Sequence, residues 1–271
     1  MNGDTVYPLS YVRPASLPEA LDWLAREPEA KPLSGGMTLI PTLKQRLAAP
    51  SHLVDLSRLP ELRGLSRDGG VLTIGAAVRH AEVAASAQVG EAIPGLAELA
   101  GVIADPQVRN RGTLGGSVAN NDPAADYPAA VLGLGATVVS DRRRIGADEF
   151  FVGMFETALE PGEIIVGIEF PVARRSAYAK YRHKATGYAV AGVFISHTDA
   201  GVRVAVTGAG PCVFRWRQAE QALEAHGPAG LDEAELDEQD LNDDRTGSAA
   251  YRANLVRVLA RRAWDRLGRA A

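Results

Sequence analysis

Residues 105–128 read DPQVRNRGTLGGSVANNDPAADYP and differ in composition from the chain on either side. Glycines at 112, 115 and 116 can adopt positive φ and let another molecule approach the main chain, because they carry no Cβ. Thr113 and Ser117 add hydroxyl groups, and successive N–H groups in such a turn can form a concave site for a phosphate. The Asn, Asp and Pro residues that follow predict a rigid polar loop able to bind sugar hydroxyls. The stretch therefore indicates a nucleotide-binding loop; the alternative is a glycine turn between two packed elements.

A second glycine loop lies near the N-terminus, where residues 31–46 read KPLSGGMTLIPTLKQR. This sequence predicts a short extended run, a break at Gly35 and Gly36, and then a helix in whose first turn Pro41 is tolerated. The start of a helix just after glycines is a favourable place for an anion. Neither loop has the Rossmann pattern G-x-G-x-x-G or the Walker pattern G-x-x-x-x-G-K-S/T. The residues alone thus predict two glycine loops that share one dinucleotide.

Length and composition argue against several classes of protein. A chain of 271 residues with 46% hydrophobic residues is long enough for two domains with ample core. A net charge of −4 argues against binding to nucleic acid or to a membrane surface, because both need a basic field. No apolar run approaches the roughly 20 residues that span a bilayer, and residues 1–7 lack the features of a signal peptide. A cytoplasmic location without membrane insertion is therefore expected.

The cysteine and histidine content predicts that no metal site lies on this chain. Cys212 is the single cysteine, which excludes an internal disulfide and a four-cysteine iron–sulfur or zinc site within the chain. The histidines show no metal-ligand spacing and are interpreted as surface or structural residues; they are His52, His80, His183, His197 and His226.

Hydrophobic patterning predicts a mixture of helices and strands. Ser16 and Glu19 are typical of a capping box that opens a short helix. Further helices are expected at residues 92–104, 149–159, 218–226 and 251–267. Strands are expected at residues 53–56, 71–74, 136–140, 163–171, 178–184, 190–196 and 202–207, the last two joined as a hairpin. The basic run at 142–144 is interpreted as a solvated hairpin tip or a partner-facing edge.

The two glycine loops resemble sequences of a known family. Ser34-Gly35-Gly36 before a leucine-rich helix, the run DPQVRNRGTLGG and the run NDPAADYP are similar to the FAD-binding medium subunits of the molybdenum hydroxylases, the carbon monoxide dehydrogenase and xanthine dehydrogenase family. The similarity continues through VTGAGP at 206–211 and AAYR at 249–252, so it covers nearly the whole chain.

This resemblance implies an α+β fold in two parts. The first is a two-lobed FAD-binding domain of the p-cresol methylhydroxylase/vanillyl-alcohol oxidase type at residues 1–174, with lobes at about 1–55 and 56–174. The second, at residues 175–271, is a small C-terminal domain with a three-stranded antiparallel sheet and helices.

The resemblance also implies residues that bind FAD. Main-chain N–H groups of 32–39 would wrap the pyrophosphate, and Thr113 with 115–117 would close it from the other loop. The full implied set is Pro32, Leu33, Ser34, Gly35, Gly36, Met37, Thr38, Leu39, Ile103, Thr113, Gly115, Gly116, Ser117, Asn120, Asp126, Ile165, Lys180 and Tyr188. No catalytic side chain and no metal ligand is implied on this chain.

Several members of that set carry a more specific implied role. Asn120 and Asp126 match positions that bind cofactor hydroxyls, and Ile103 and Ile165 match apolar positions near the ring system and the adenine. Tyr188 would lie on the isoalloxazine. Lys180 would stabilise negative charge near its pyrimidine edge when the flavin is reduced. Gly187 stands where the family usually has Asp, which implies a more flexible backbone beside the flavin.

The resemblance implies partners as well, because this chain has too few cysteines for the family's iron–sulfur clusters and is too short to be its molybdenum subunit. In the family, a molybdenum cofactor on a large subunit hydroxylates the substrate, and two 2Fe-2S clusters on a small subunit deliver electrons to FAD on the medium subunit. A heterotrimer is therefore implied, often paired into a dimer of heterotrimers, with NAD, a quinone or oxygen as the acceptor. Neither the substrate nor the acceptor follows from this sequence.

Two other functions stay open at the level of sequence. One is a free-standing FAD-dependent oxidoreductase that acts on its own small substrate, which would need a substrate pocket with a base or a covalent flavin link. The other is a nucleotide-binding scaffold without a redox role. A yellow colour on purification separates the scaffold from both flavoenzymes.

Overall fold

The protein is described here by a computed structural model that covers residues 6–267. Within these residues the strands are β1 (Ser10–Val12), β2 (Lys31–Leu33), β3 (His52–Asp55), β4 (Leu65–Asp68), β5 (Val71–Gly75), β6 (Thr137–Ser140), β7 (Arg144–Gly146), β8 (Phe151–Gly153), β9 (Glu156–Thr157), β10 (Ile165–Pro171), β11 (Arg175–Arg182), β12 (Ala189–Thr198), β13 (Gly201–Thr207) and β14 (Phe214–Arg215).

The helices in the same residues are α1 (Leu17–Arg26), α2 (Leu39–Lys44), α3 (His80–Ala85), α4 (Ala87–Ala92), α5 (Pro94–Gly101), α6 (Pro106–Arg109), α7 (Leu114–Asn120), α8 (Tyr127–Leu134), α9 (Ala147–Phe150), α10 (Arg217–His226) and α11 (Ala249–Leu267). Short 3-10 helices lie at Pro60–Leu62, Gly227–Asp232 and Glu238–Asp240. No helix among residues 6–267 is long and apolar enough to cross a lipid bilayer.

A small parallel sheet positions the first glycine loop. Its strand order is β1-β3-β2, with α1 and α2 in the connections. The predicted cap of α1 is confirmed, because the Ser16 hydroxyl accepts a hydrogen bond from the Glu19 N–H. Strand β2 ends at Leu33, so the first glycine loop begins directly after the last residue that pairs in the sheet.

A five-stranded antiparallel sheet carries the largest core. Its order is β4-β5-β10-β6-β7. The central strand β10 lies between β5, which comes about a hundred residues earlier in the chain, and β6, which comes about thirty residues earlier. Ile168 at its centre faces Ile74 on one neighbour and Val138 on the other, and all three side chains are buried. Helix α7, which follows the second glycine loop, packs against β5 and β10.

The C-terminal sheet has four antiparallel strands in the order β11-β12-β13-β14. The expected three strands are present, and β14 adds a fourth by pairing Arg215 with Ala205 and Phe214 with Val206. A two-residue strand is too short to leave a periodic signal in the sequence. Helix α11 covers β11 and β12, and α10 packs on β13, so that a second core forms around Trp216.

Helix α8 joins the two larger sheets. Its residues are all buried, and Gly133 leaves room for the Phe194 ring, which would lie 2.8 Å from a Cβ at that position. Tyr178, Phe194 and Ala205, from the C-terminal sheet, belong to the same hydrophobic core as the five-stranded sheet. The division of the chain at residue 174 stays a prediction.

The prediction of a helix at 149–159 is wrong. Helix α9 ends at Phe150, and β8 and β9 follow as a two-stranded hairpin. The side chain of Asn121 holds this hairpin, because its Nδ2 donates to the carbonyl oxygens of Gly153 and Glu156, each at 2.8 Å. This contact joins positions more than 30 residues apart, so no local pattern could have revealed it.

Candidate functional site

A cavity of about 590 Å³ opens between the end of β2, the loop before α7 and the turn between β11 and β12. Its volume lies within the range of about 300–1,000 Å³ that is usual for small-molecule and cofactor sites. Every residue that the family resemblance implied as FAD-binding lines this cavity, with the exception of Lys180. Both glycine loops therefore line one cavity. That they share one dinucleotide stays a prediction.

The glycine loops touch each other directly at Gly35. A Cβ on Gly35 would lie 2.4 Å from the carbonyl oxygen of Arg111 and 2.7 Å from the Cα of Gly112, so only glycine fits there. Beside this contact, the hydroxyl groups of Ser34 and Thr113 are hydrogen-bonded at 2.9 Å. The absence of a side chain at residue 35 brings the two backbones together.

The first loop presents unpaired main-chain donors. Within residues 6–267, the N–H groups of Gly35, Gly36, Met37 and Thr38 donate to no protein acceptor. Gly36 has φ 73°, in the left-handed region that favours glycine. Consecutive unpaired N–H groups in such a turn form a concave, electropositive surface suited to an anion. This arrangement can neutralise a diphosphate without a lysine motif.

The second loop is fixed by the way α7 begins. The Thr113 hydroxyl caps the helix by accepting from the Gly116 N–H at 3.2 Å. The Gly115 N–H donates to the carbonyl oxygen of Ala76 at 2.8 Å, and a Cβ on Gly115 would lie only 2.5 Å from the Ala76 Cβ. Both contacts place the start of α7 against the residues that follow β5.

Asp126 lines the cavity but has two protein partners of its own. Its Oδ1 accepts from the Tyr178 hydroxyl at 2.6 Å, and its Oδ2 lies 2.9 Å from Lys180 Nζ. Burial raises the pKa of Asp126, while Lys180 and Tyr178 act in the opposite direction. Lys180 also donates to the Val102 carbonyl oxygen at 3.3 Å, so it lies behind Asp126 rather than at the cavity surface.

The mouth of the cavity is bordered by the turn that carries Gly187 and Tyr188. Gly187 has φ 77°, and a Cβ there would lie 3.0 Å from the Ala104 Cα. Its backbone, rather than a side chain, therefore borders the cavity at this position. Tyr188 is 42% exposed, and its pKa is raised mainly because the phenol is partly buried, and also because Asp122 and Asp126 are close.

Two acidic residues at the cavity were missed at the level of sequence. Asp122 accepts from the Ala124 N–H through Oδ1, and no donor among residues 6–267 reaches its Oδ2. Burial raises the pKa of this carboxyl. Asp122 lies inside the predicted polar loop, so its loop was identified although the residue was not.

The other acidic residue, Glu163, had no signal in its local sequence. Its carboxylate is held by the Arg143 guanidinium at 3.1 Å, the Glu160 N–H at 2.7 Å and the Ser140 hydroxyl at 2.5 Å. Burial by itself would raise the pKa of Glu163, but these donors outweigh it and lower the pKa to about 2. Arg143, in the middle of the basic run at 142–144, thus holds Glu163, while the run also lies at the turn between β6 and β7.

His80, interpreted from sequence as a surface or structural residue, lies in the cavity wall. It is the first residue of α3, is 5% exposed, and packs over Gly112. Gly112 and Gly187, which the sequence analysis singled out, also line the cavity. The remaining lining residues, which were not assigned from sequence, are Lys31, Leu56, Leu62, Ala76, Ala77, Ala104, Val108, Ala119, Ala125, Leu159, Ile164 and Thr186. Most of these are apolar residues whose position depends on tertiary packing.

Known proteins similar to this chain belong to one family. The model of the FAD-binding domain in molybdopterin dehydrogenase matches residues 7–173. The carbon monoxide dehydrogenase medium chain of Hydrogenophaga pseudoflava is 35% identical over 94% of this chain and 97% of its own length. The nicotine 6-hydroxylase medium subunit of Paenarthrobacter nicotinovorans is also 35% identical, over 94% of this chain and 95% of its own length.

The backbone is similar to a solved structure as well. The structure is that of carbon monoxide dehydrogenase from Hydrogenophaga pseudoflava which lacks the Mo-pyranopterin moiety of the molybdenum cofactor. One of its chains superposes with a TM-score of 0.88 at 35% sequence identity, covering 97% of this chain and 98% of that one. The likeness extends over both the FAD-binding region and the C-terminal sheet.

Proposed function

This chain belongs to the family of FAD-binding domains of molybdopterin dehydrogenases, and from that premise we propose that it is the electron-exit subunit of a molybdenum-containing hydroxylase. As a member of the family it is an FAD-binding subunit of an oxidoreductase. In the proposed function it accepts electrons from 2Fe-2S clusters of a partner subunit and passes them to an external acceptor.

The observation that carries this proposal is the meeting of the two glycine loops at Gly35 and Arg111. Their approach leaves a row of unpaired N–H groups at the cavity, which suits the diphosphate of a dinucleotide. A Cβ at Gly35 or Gly115 would collide with the backbone that closes this cradle. The residues present therefore fit FAD.

The chain's own residues would hold the cofactor in three ways. Residues 34–38 would bind the diphosphate through main-chain N–H groups, and the Ser34, Thr113 and Ser117 hydroxyls would add side-chain hydrogen bonds. Asn120 and the unpaired oxygen of Asp122 would bind hydroxyl groups, with Asp126 fixed by Tyr178 and Lys180 beside them. Ile103, Ile165 and Tyr188 would pack on the rings and exclude water. The remaining contacts are those of Pro32, Leu33, Met37 and Leu39 in the first loop.

Bound FAD supplies a redox group that can exchange electrons with both one-electron and two-electron partners. This chain needs no acid or base for that exchange. Its task is to fix the position of the cofactor and to set the electrostatic surroundings of the ring. The ion pair of Lys180 and Asp126 would contribute to those electrostatic surroundings, because Asp126 lines the cavity.

The proposed partners are the subunits that would hold the molybdenum cofactor and the iron–sulfur clusters. Among residues 6–267 no group of His, Cys, Asp and Glu side chains is arranged to hold a metal ion, and the sequence has a single cysteine. The proposed complex is a cytoplasmic heterotrimer with a large molybdenum-cofactor subunit and a small iron–sulfur subunit, paired into a dimer of heterotrimers. The names of the similar medium chains and medium subunits support an assembly of several subunits.

The test is to purify the native complex through a tag on this subunit and record its visible spectrum and metal content. Flavin bands with iron–sulfur absorbance and molybdenum in the complex are expected. The chain expressed without partners should contain neither iron nor molybdenum. If the tagged chain comes alone from its host, binds FAD and oxidises a substrate unaided, the proposal is wrong and a free-standing oxidoreductase replaces it.

A further inference from the structure

His80 is held in the cavity wall by its own backbone. Its N–H donates to the Gly112 carbonyl oxygen at 3.0 Å, next to a bridge between Arg79 and Thr113. These contacts fix the first residue of α3 against the loop that leads into α7. The imidazole is therefore part of the same cradle as the second glycine loop, although 30 residues of chain separate it from that loop.

The imidazole has no hydrogen-bond partner in the protein. Its Nδ1 is enclosed and unpaired, and no side-chain hydrogen bond joins either ring nitrogen to another group among residues 6–267. The ring of Tyr127 lies 5.2 Å away, and the Tyr127 hydroxyl is enclosed and unpaired as well. An unpaired buried polar group costs about 1–3 kcal/mol, and a hydrogen bond to a bound ligand would offset that cost.

The surroundings are shaped to accept the ring. A Cβ on Gly112 would lie 2.5 Å from His80 Nε2 and 2.8 Å from Cδ2, so glycine at 112 makes room for the imidazole. With Nδ1 enclosed, Nε2 is the nitrogen that a molecule in the cavity can reach. The fit between His80 and Gly112 presents one ring nitrogen to the ligand.

The imidazole is uncharged at neutral pH. Burial and the nearby Arg109 guanidinium lower the pKa of His80 to about 4. Arg109 lies on α6, and its Nη1 is occupied by the Ile103 carbonyl oxygen at 2.7 Å. A neutral ring acts through a hydrogen bond and not as a counter-charge to phosphate.

We propose that His80 is a further FAD-binding residue, which hydrogen-bonds through Nε2 to an oxygen atom of the dinucleotide. The oxygen belongs to a phosphate or to a ribityl or ribose hydroxyl, since a neutral imidazole binds either. The inference rests on the proposed function, because the ligand is the cofactor assigned there. It adds a residue that neither glycine loop contains.

The test uses the purified complex after removal of its flavin, titrated with FAD and followed by flavin fluorescence. His80→Phe keeps a ring of similar size and removes the hydrogen bond, so we expect the Kd for FAD to rise about tenfold, the effect of losing one hydrogen bond. His80→Gln restores a polar group and should bring the Kd back to within about threefold of the wild type. His197→Phe, at an exposed position on β12, is the matched control and should leave the Kd unchanged.

Two further measurements separate a binding role from a structural one. Because His80 makes no side-chain bond in the protein, His80→Phe should not lower the Tm of the flavin-free complex, whereas a structural histidine would. Gly112→Ala keeps the imidazole but displaces it, and should weaken FAD binding in the same direction; Gly90→Ala, with open space around its Cβ, should not.

The outcomes bear on the two proposals differently. A His80→Phe complex that binds FAD with the wild-type Kd, or one whose flavin-free form loses stability, overturns the role of His80 and leaves the proposed function intact. A wild-type complex that binds no FAD overturns the proposed function itself. Repeating the titration with riboflavin and FMN identifies the oxygen. An effect of His80→Phe on riboflavin points to a ribityl hydroxyl, and one on FMN but not on riboflavin points to the phosphate that FMN carries. An effect confined to FAD points to the second phosphate or to the ribose.

Discussion

Lys180 and Asp126 form an ion pair at the edge of the cavity, with Nζ 2.9 Å from Oδ2 and both side chains only 4% exposed. The lysine implied as a flavin-binding residue thus has a carboxylate between it and the cavity. Each charge compensates the other, and Tyr178 adds a third hydrogen bond to the pair. Any electrostatic effect on the flavin comes from the pair and not from the lysine alone.

Lys180→Met should lower the reduction potential of the bound flavin, because it leaves the Asp126 carboxylate without its cation. Asp126→Asn should shift the potential in the opposite direction. Either single change removes one partner of a buried pair and should destabilise the subunit by about 3–5 kcal/mol. Spectroelectrochemical titration of the complexes measures the potentials. An unchanged potential in Lys180→Met would reject its role.

Tyr178→Phe is the matched control for that pair, since it removes a hydrogen bond to Asp126 without changing the charge. We expect a loss of stability of about 1–3 kcal/mol and a smaller change in potential than either charge substitution causes. A shift as large as that of Lys180→Met would show that geometry, and not charge, sets the potential.

Gly35→Ala should separate the two glycine loops. The added Cβ would meet the Arg111 carbonyl oxygen at 2.4 Å, and backbone must move to relieve it. We expect a loss of stability of about 1–3 kcal/mol and a rise in the Kd for FAD of more than about tenfold. Gly90→Ala in α4 is the control: nothing lies within 4 Å of its Cβ, and alanine there should stabilise the helix by up to about 1 kcal/mol. Equal FAD binding by both variants would contradict this account of the cradle.

Because of Glu163, the stability of the protein should fall as the pH becomes acidic. Its pKa in the folded protein is lowered from the ordinary value of 4.5 to about 2, so the unfolded chain takes up this proton first as the pH falls. The stabilisation is fully present above pH 4.5 and is lost between about pH 4.5 and 2. Glu163→Gln should cost about 2 kcal/mol at pH 7 and flatten the dependence over that window. Urea unfolding at a series of pH values measures both effects; parallel curves for the two proteins would refute them.

His80 should also lower the stability of the protein in acid, over a pH range above that of Glu163. Its folded-state pKa of about 4 lies below the ordinary 6.5, so between these values the unfolded chain binds a proton that the folded chain does not. Stability is therefore retained above pH 6.5 and falls by about 3 kcal/mol as the pH drops to 4. The flavin-free His80→Phe complex should lack this loss. If wild type and variant lose stability equally between pH 6.5 and 4, His80 is not held neutral.

The glycine loops show how far local sequence reaches. Glycines at 35, 36, 112, 115 and 116, with the polar run after them, predicted the two loops that line the cavity. The reason is that a backbone cradle needs particular residue types at consecutive positions. The hairpin of β12 and β13 was predicted for a similar reason, since its alternation and its turn are local. The residues that the family resemblance added also line the cavity, except Lys180.

Contacts between segments that are far apart in the chain could not be predicted from sequence and are seen only in the folded protein. The approach of Gly35 to Arg111, the burial of His80 over Gly112 and the pairing of Lys180 with Asp126 each join segments at least 30 residues apart. The β8–β9 hairpin in place of a helix depends in the same way on Asn121. The residues alone predicted two glycine loops that share one dinucleotide, because residue type encodes backbone conformation locally. The fold class and the identity of the cofactor as FAD came from the resemblance to a known family. The folded structure alone shows which side chains face the cavity and what charge they carry. The reason is that burial and ion pairing arise between segments whose local sequences do not indicate that they will meet.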